Sequence, residues 1–234
     1  MSGNRISTEN SVLSRVLSEE YSMSRRFEQK KRGEVLKKKR PTVFIAAEGH
    51  NRTERNYFKG FASRHKNLSI KIVPDSSTDP VGMAVSLADF MDDSGFSLED
   101  GDMAFCLIDH DCNYTKDSQI AQAFQIAHDK GFSVIVSNPC FEIWFLCHFT
   151  STPKNYSSSK EVIKDLDSYI PGYGKSDIDV FIKTESRLSE AIAVAKRLEE
   201  KCSSLGYIIH RHDFSPSTEV FKMIEMMLAI DTKG

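Results

Sequence analysis

The chain is short of the features that announce many protein classes. It has five cysteines in 234 residues, an odd number without paired spacing. That argues against a disulfide scaffold and for a reduced, cytoplasmic protein. No uninterrupted apolar run approaches the roughly 20 residues a bilayer span needs. The first forty residues have no apolar core segment of the kind a secretory signal carries. No G-x-x-x-x-G-K-[ST] or G-x-G-x-x-G loop is present, which disfavours nucleotide hydrolysis or dinucleotide binding. A G-x-S-x-G nucleophile elbow is also missing. Charge of one sign is not in excess: the formal net charge is −2, far from the strong basicity of a protein that coats nucleic acid.

That average hides an asymmetry. Residues 1–40 hold eleven Lys and Arg against five Asp and Glu, a net of +6. The remainder holds 20 against 28, a net of −8. The first forty residues read as a basic arm, partly disordered or helical, either solvated or docked on nucleic acid or a partner. An acidic body that handles phosphates needs metal ions to do so.

From Pro41 the pattern is that of a packed domain. TVFIAAEG (42–49), LSIKIVP (68–74), DMAFCLIDHD (102–111) and FSVIVSNP (132–139) read as buried strands. Between them, 52–65, 79–93 and 116–131 have helical spacing, and FEIWFLCHF (141–149) follows as a short apolar helix. Strands apolar throughout and separated by helices predict a mostly parallel sheet covered on both faces, over residues 41–150. Residues 151–234 read as a mainly helical extension packed on it. A long helix is expected over 184–205, with Leu188, Ile192, Ala195 and Leu198 in one stripe. A short strand and loop are expected in 207–220, then a last helix capped by Ser217 or Thr218.

Ligands of such sheets gather beyond the carboxyl ends of the strands. Glu48-Gly49 ends the first strand and Asp109-His110-Asp111 the third. Two residues apart on an extended chain, Asp109 and Asp111 fall on the same side. Three carboxylates converging there repel one another, and a hard divalent cation, Mg²⁺ or Mn²⁺, relieves this. The competing view is solvated loop carboxylates or helix caps. Glu54 sits in a first helical turn, where it favours the helix dipole or else reaches the same edge. Glu142 stands among apolar neighbours and reads equally as a site residue or a cap. Cys140 and Cys147-His148 look like half a zinc site, but fit buried core better. His210 and His212 flank Arg211 as on an exposed strand face or a phosphate patch. Trp144–Phe149 and Met223, Met226 and Met227 read as core before interface.

FIAAEGHNRTERNYF, FCLIDHD, SNPCFEIWFLCHF, YGK and SPSTEV, in this order, resemble the RloB family, from about residue 41 almost to the C-terminus. These are small Toprim-like proteins found near bacterial restriction and abortive-infection genes. The resemblance implies a Toprim-like α/β fold with Glu48, Asp109 and Asp111 as the shared metal site. It also makes Glu54 and Glu142 part of the pattern, and Glu142 joins Glu48, Asp109 and Asp111 as a candidate catalytic residue. The chain lacks room for a topoisomerase's gate and tyrosine domains, or for a primase's zinc-binding region. The implied activity is therefore a Mg²⁺- or Mn²⁺-dependent nuclease of an anti-phage system, acting on RNA, such as tRNA, or DNA. Lys175, Lys183 and His210 are the candidates to neutralise the scissile phosphate. An ABC- or AAA-type ATPase is the implied partner. A non-catalytic subunit that regulates such an ATPase is the alternative. A phosphotransfer enzyme would place a nucleophilic Asp where this chain has Glu48.

Overall fold

The computed structural model describes residues 40–48, 52–74, 77–151, 154–174 and 179–231. The basic arm, Gly49 and Lys175 lie outside the described residues. Five strands form one sheet: β1 (Thr42–Ala46), β2 (Ser69–Ile72), β3 (Met103–Asp109), β4 (Ser133–Asn138) and β5 (Ser217–Thr218). Their order is β2-β1-β3-β4-β5. The first four pair in parallel, and β5 adds antiparallel through Ser137 opposite Thr218 and Asn138 opposite Ser217. This is a Rossmann-like α/β architecture.

The continuous apolar character of the strands has a simple cause. Successive side chains point to opposite faces, and both faces are covered. Val43, Ile45, Phe105, Leu107 and Ile135 enter one core. Phe44, Ala46, Ala104, Cys106, Ile108, Val134 and Val136 enter the other. The second core is closed by α2 (Pro80–Ser94) and α3 (Lys116–Lys130). Asp79 caps α2, its Oδ1 accepting the Gly82 N–H at 2.9 Å. Gly95 and Gly131 end the two helices in the left-handed conformation, at φ 69° and 77°.

The first core is larger, because it also takes the segment after residue 150. It gathers α1 (Arg52–Arg64), α4 (Glu142–Leu146), α5 (Ser159–Leu166), α6 (Val180–Thr184), α7 (Leu188–Ser204) and α8 (Val220–Asp231). Tyr57, Phe58 and Phe61 of α1 pack there against Phe141, Phe145 and Phe181. Trp144 through Cys147 are buried, as are Met223 and Met227, whereas Met226 is 44% exposed. Cys140, Cys147 and His148 are core residues, with His148 Nδ1 donating to the Trp144 carbonyl at 2.9 Å.

Two expectations need correction. The buried face of α7 is Ala191, Val194, Ala195, Leu198 and Cys202; Leu188 and Ile192 lie at its margin. The short strand expected in 207–220 is β5, but the exposed strand face considered for His210 and His212 is not formed. Tyr207, Ile208 and Ile209 are exposed, and His210 has φ 65°, which a ladder does not accommodate. The strand is limited to Ser217–Thr218, and Thr218 Oγ1 accepts the Val220 N–H at 3.4 Å.

Candidate active site

Asp109 is the last residue of β3 and is 9% exposed. Its Oδ1 accepts the backbone N–H of Phe141 at 2.8 Å, just ahead of α4. Its carboxyl is held well above the usual carboxylate range, first by burial and then by repulsion from Glu54, Glu142, Asp111 and Glu48. Four segments thus bring negative charge to one strand end: the exit of β1, the first turn of α1, the exit of β3 and the start of α4. Glu54 and Glu142 are both buried. Glu142 Oε1 accepts the Tyr173 hydroxyl at 3.2 Å, and its Oε2 is buried without a hydrogen-bond partner. Burial, then the Glu142 charge, pushes the Tyr173 phenol up, so it stays protonated and donates. The Cys140 thiol is pushed well up by burial and by the Glu142 and Asp109 charges. It is not a thiolate at neutral pH.

Asp111 departs from the sequence argument. β3 has ended before it, and its φ is 59°, so the alternation of an extended chain does not carry Asp109 and Asp111 to one side. Its carboxylate turns to Lys116 instead, with Nζ 2.6 Å from Oδ2, and Oδ1 accepts the Ser159 hydroxyl at 3.2 Å. Lys116 also donates to the Asp109 carbonyl at 2.7 Å. The cation at this edge is therefore Lys116. Of the basic candidates, Lys183 is exposed on α6, and His210 is 3.1 Å from Glu219 and stacks on Phe124 at 4.3 Å. Lys116 was missed because it reads as an ordinary first-turn helix residue. Its spacing of five from Asp111 was the available signal.

Between the two aspartates, His110 is fully buried and points to Asp117, with Nε2 3.0 Å from Oδ1. An ionised carboxylate only accepts, so the proton sits on Nε2. Burial lowers the His110 pKa, and Asp117 only partly opposes this, so the ring is neutral at neutral pH. Asp117 also accepts the His212 N–H at 2.9 Å and His212 Nδ1 at 3.1 Å, and pairs with Arg211 Nε at 3.1 Å. Burial would raise its pKa; these donors overcome burial and hold it below the usual range. Asn138 ties the same loop down. Its Oδ1 accepts the Cys112 N–H at 3.0 Å, and its Nδ2 reaches the carbonyls of Arg211, His212 and Phe214. Asp117 did not stand out in the sequence, and Asn138 did so only as the first residue of the N-P-C-F-E motif, without a role.

The pattern of the RloB-like protein family matches residues 43–227, which covers all of these groups. The chain belongs to the RloB-like family. No curated protein and no solved structure matches it. The carboxylates are oxygen donors of the kind a hard divalent cation takes, and one buried oxygen on Glu142 is unpartnered, but they are not gathered into a ligand set. Among the described residues, no three His, Cys, Asp or Glu side chains are grouped closely enough to hold an ion. The set is a field of neighbouring charges, of which Asp111 is paired with Lys116. No helix among the described residues is long and apolar enough to cross a membrane.

Proposed function

We propose that this chain is a metal-dependent nuclease that hydrolyses phosphodiesters at the Asp109 strand end. The observation that carries the reading is the crowding of Glu48, Glu54, Asp111 and Glu142 around Asp109. A structural protein gains nothing from repulsion of that kind, whereas a site for a cation and a phosphate uses it. Glu48, Asp109 and Asp111 would hold Mg²⁺ or Mn²⁺ once drawn closer together than they stand here, with Asp111 released from Lys116. When bound, the ion supplies a water of lowered pKa and offsets charge on the phosphodiester.

The chain's own groups divide the remaining work. Asp109 is oriented by the Phe141 N–H. Tyr173 holds one oxygen of Glu142. Glu48 is half-buried and Asp111 is 43% exposed, so water reaches these two. The proton of the attacking water goes to one of them, and not to buried Glu54 or Glu142. Lys116 is the ammonium placed to exchange Asp111 for an incoming phosphate oxygen. The anti-phage setting and an ABC- or AAA-type ATPase partner are proposed on the family resemblance alone.

The test is Asp109→Asn, which can keep the Oδ1 acceptor for Phe141. The purified variant should keep its fold by circular dichroism, lose saturable Mn²⁺ binding by calorimetry, and lose Mn²⁺-dependent cleavage of RNA and DNA. Unchanged cleavage by this variant would refute the assignment.

A further inference from the structure

The turn between Asp111 and α3 holds a group that the hydrolytic reading does not use. Tyr114 is 72% exposed, the most exposed large hydrophobic side chain among the described residues. Its backbone is fixed. Asn113 Oδ1 accepts both the N–H and the hydroxyl of Thr115, at 3.0 and 2.9 Å. The N–H groups of Lys116 and Asp117 return to the carbonyls of Asn113 and Tyr114. Behind the ring stands His212, edge-on with centroids 6.5 Å apart. His212 and Arg211 are both moored to Asp117, which is moored in turn to His110 between the two aspartates. Arg211 meets that carboxylate through its Nε, and its side chain is 54% exposed. A pinned, exposed aromatic beside His212, which follows the Arg211 guanidinium in the chain, thus stands three residues from Asp111, on a body whose net charge is otherwise negative.

We propose that Tyr114, with His212 at its edge and Arg211 next to His212 in the chain, is a base-stacking platform on the rim of the carboxylate cluster, and that the substrate is single-stranded nucleic acid. This rests on the nuclease reading for its location. Its chemistry is separate: an aromatic face stacks on any unpaired base, while guanidinium and imidazole groups meet the backbone. A base inside a duplex is already stacked on its neighbours and does not present its face to such a ring. Holding the ring on a pinned turn lowers the entropy lost on binding. It also sets a nucleotide beside the strand end where its phosphate is to be cut.

The experiment measures binding in EDTA, so that no hydrolysis enters. Three fluorescent probes are compared by anisotropy: a short oligothymidylate, an abasic strand of the same length and charge, and a blunt duplex. The wild type should prefer the oligothymidylate to the abasic strand by roughly tenfold, within the range of base–aromatic stacking. Tyr114→Ala, shown folded by circular dichroism, should erase that preference, and Tyr114→Phe should keep it. Arg211→Ala should weaken both strands equally. A Tyr114→Ala variant that keeps the preference overturns the proposal, as does a wild type that binds the duplex as tightly as the single strand. A folded wild type that binds none of the probes also overturns it, and gives Tyr114 to a protein contact. The cleavage of Asp109→Asn is measured separately, in Mn²⁺, and decides the nuclease reading by itself. If that variant still cleaves, the nuclease reading fails while the platform stands.

Discussion

Gly60 sits inside α1, where helix propensity alone favours alanine by about 1 kcal/mol. The tertiary structure reverses that sign. A Cβ on Gly60 would lie 2.5 Å from Phe181 Cβ, 2.8 Å from its Cγ and 3.1 Å from its Cδ1. The first of these atoms is fixed to the backbone of α6, so no rotamer of Phe181 removes the clash. Phe181 is itself fully buried against Tyr57 and Phe61, with ring centroids at 5.4 and 5.8 Å. Overpacking of this kind costs about 1–3 kcal/mol, and a contact to a backbone-anchored atom belongs at the upper end. Setting about 3 kcal/mol of strain against about 1 kcal/mol of propensity leaves Gly60→Ala destabilising by about 2 kcal/mol. For a chain of this size that lowers Tm by about 4–8 °C. Calorimetry on the full chain measures it directly. Phe181→Ala removes the contacts to Cγ and Cδ1, at its own cost of about 3–5 kcal/mol, but keeps the Cβ at 2.5 Å. In that background Gly60→Ala should cost less than in the wild type but stay destabilising, because the backbone-anchored Cβ remains. A Tm that rises for Gly60→Ala alone would show that α1 and α6 are not in close contact.

Other consequences are independent of that one. Glu219 is 7% exposed and accepts from the Val136 N–H at 3.0 Å and from Lys222 at 2.6 Å; His210 Nε2 lies at 3.1 Å. Burial would raise its pKa, but His210 and Lys222 outweigh burial and lower it. Its stabilisation is therefore present above the unfolded-state pKa and lost as pH falls through the folded one. Glu219→Gln should cost about 2–3 kcal/mol at pH 7 in urea unfolding, with the gap closing only below about pH 4. His148 has its pKa lowered to about 4 by burial. The unfolded chain takes up this proton near pH 6.5 and the folded one does not, so stability falls on acidification between those values, by about 3 kcal/mol in all. The imidazole resonance of His148 should titrate near pH 4 by NMR, and a midpoint near 6.5 would contradict its burial. Asn138→Ala strips acceptor or donor from Cys112, Arg211, His212 and Phe214. It should destabilise by about 2–3 kcal/mol in urea unfolding, since each orphaned buried group costs about 1–3 kcal/mol.

The sheet was legible because burial on both faces leaves a local trace. VFIA, MAFCLI and VIV within β1, β3 and β4 are apolar on both faces, and only a covered parallel strand needs that. Asp109 was legible for the same reason: it is the first charge after such a run, so it stands at the strand's carboxyl end. Asp79, Pro80 and Gly95 likewise declare the limits of α2 by their own backbone preferences. The RloB resemblance came from residues spread along the chain, and the family match spans the same stretch.

What tertiary structure alone decided is which distant groups share a point. The first turn of α1 is packed by Tyr57 and Phe58 into a core with Phe141, and this brings Glu54 and Glu142 to Asp109 from opposite ends of the domain sequence. No periodicity encodes that approach. The turn of Asp111 toward Lys116 follows from a positive φ after β3, and a residue pattern two apart assumes an extended chain that is not there. The burial of Asp117 under Arg211 and His212 joins residues 95 positions apart. Hydrophobic spacing shows which face of an element is buried. The partner that buries it, and the charges that partner brings, come only from the packing of the whole sheet.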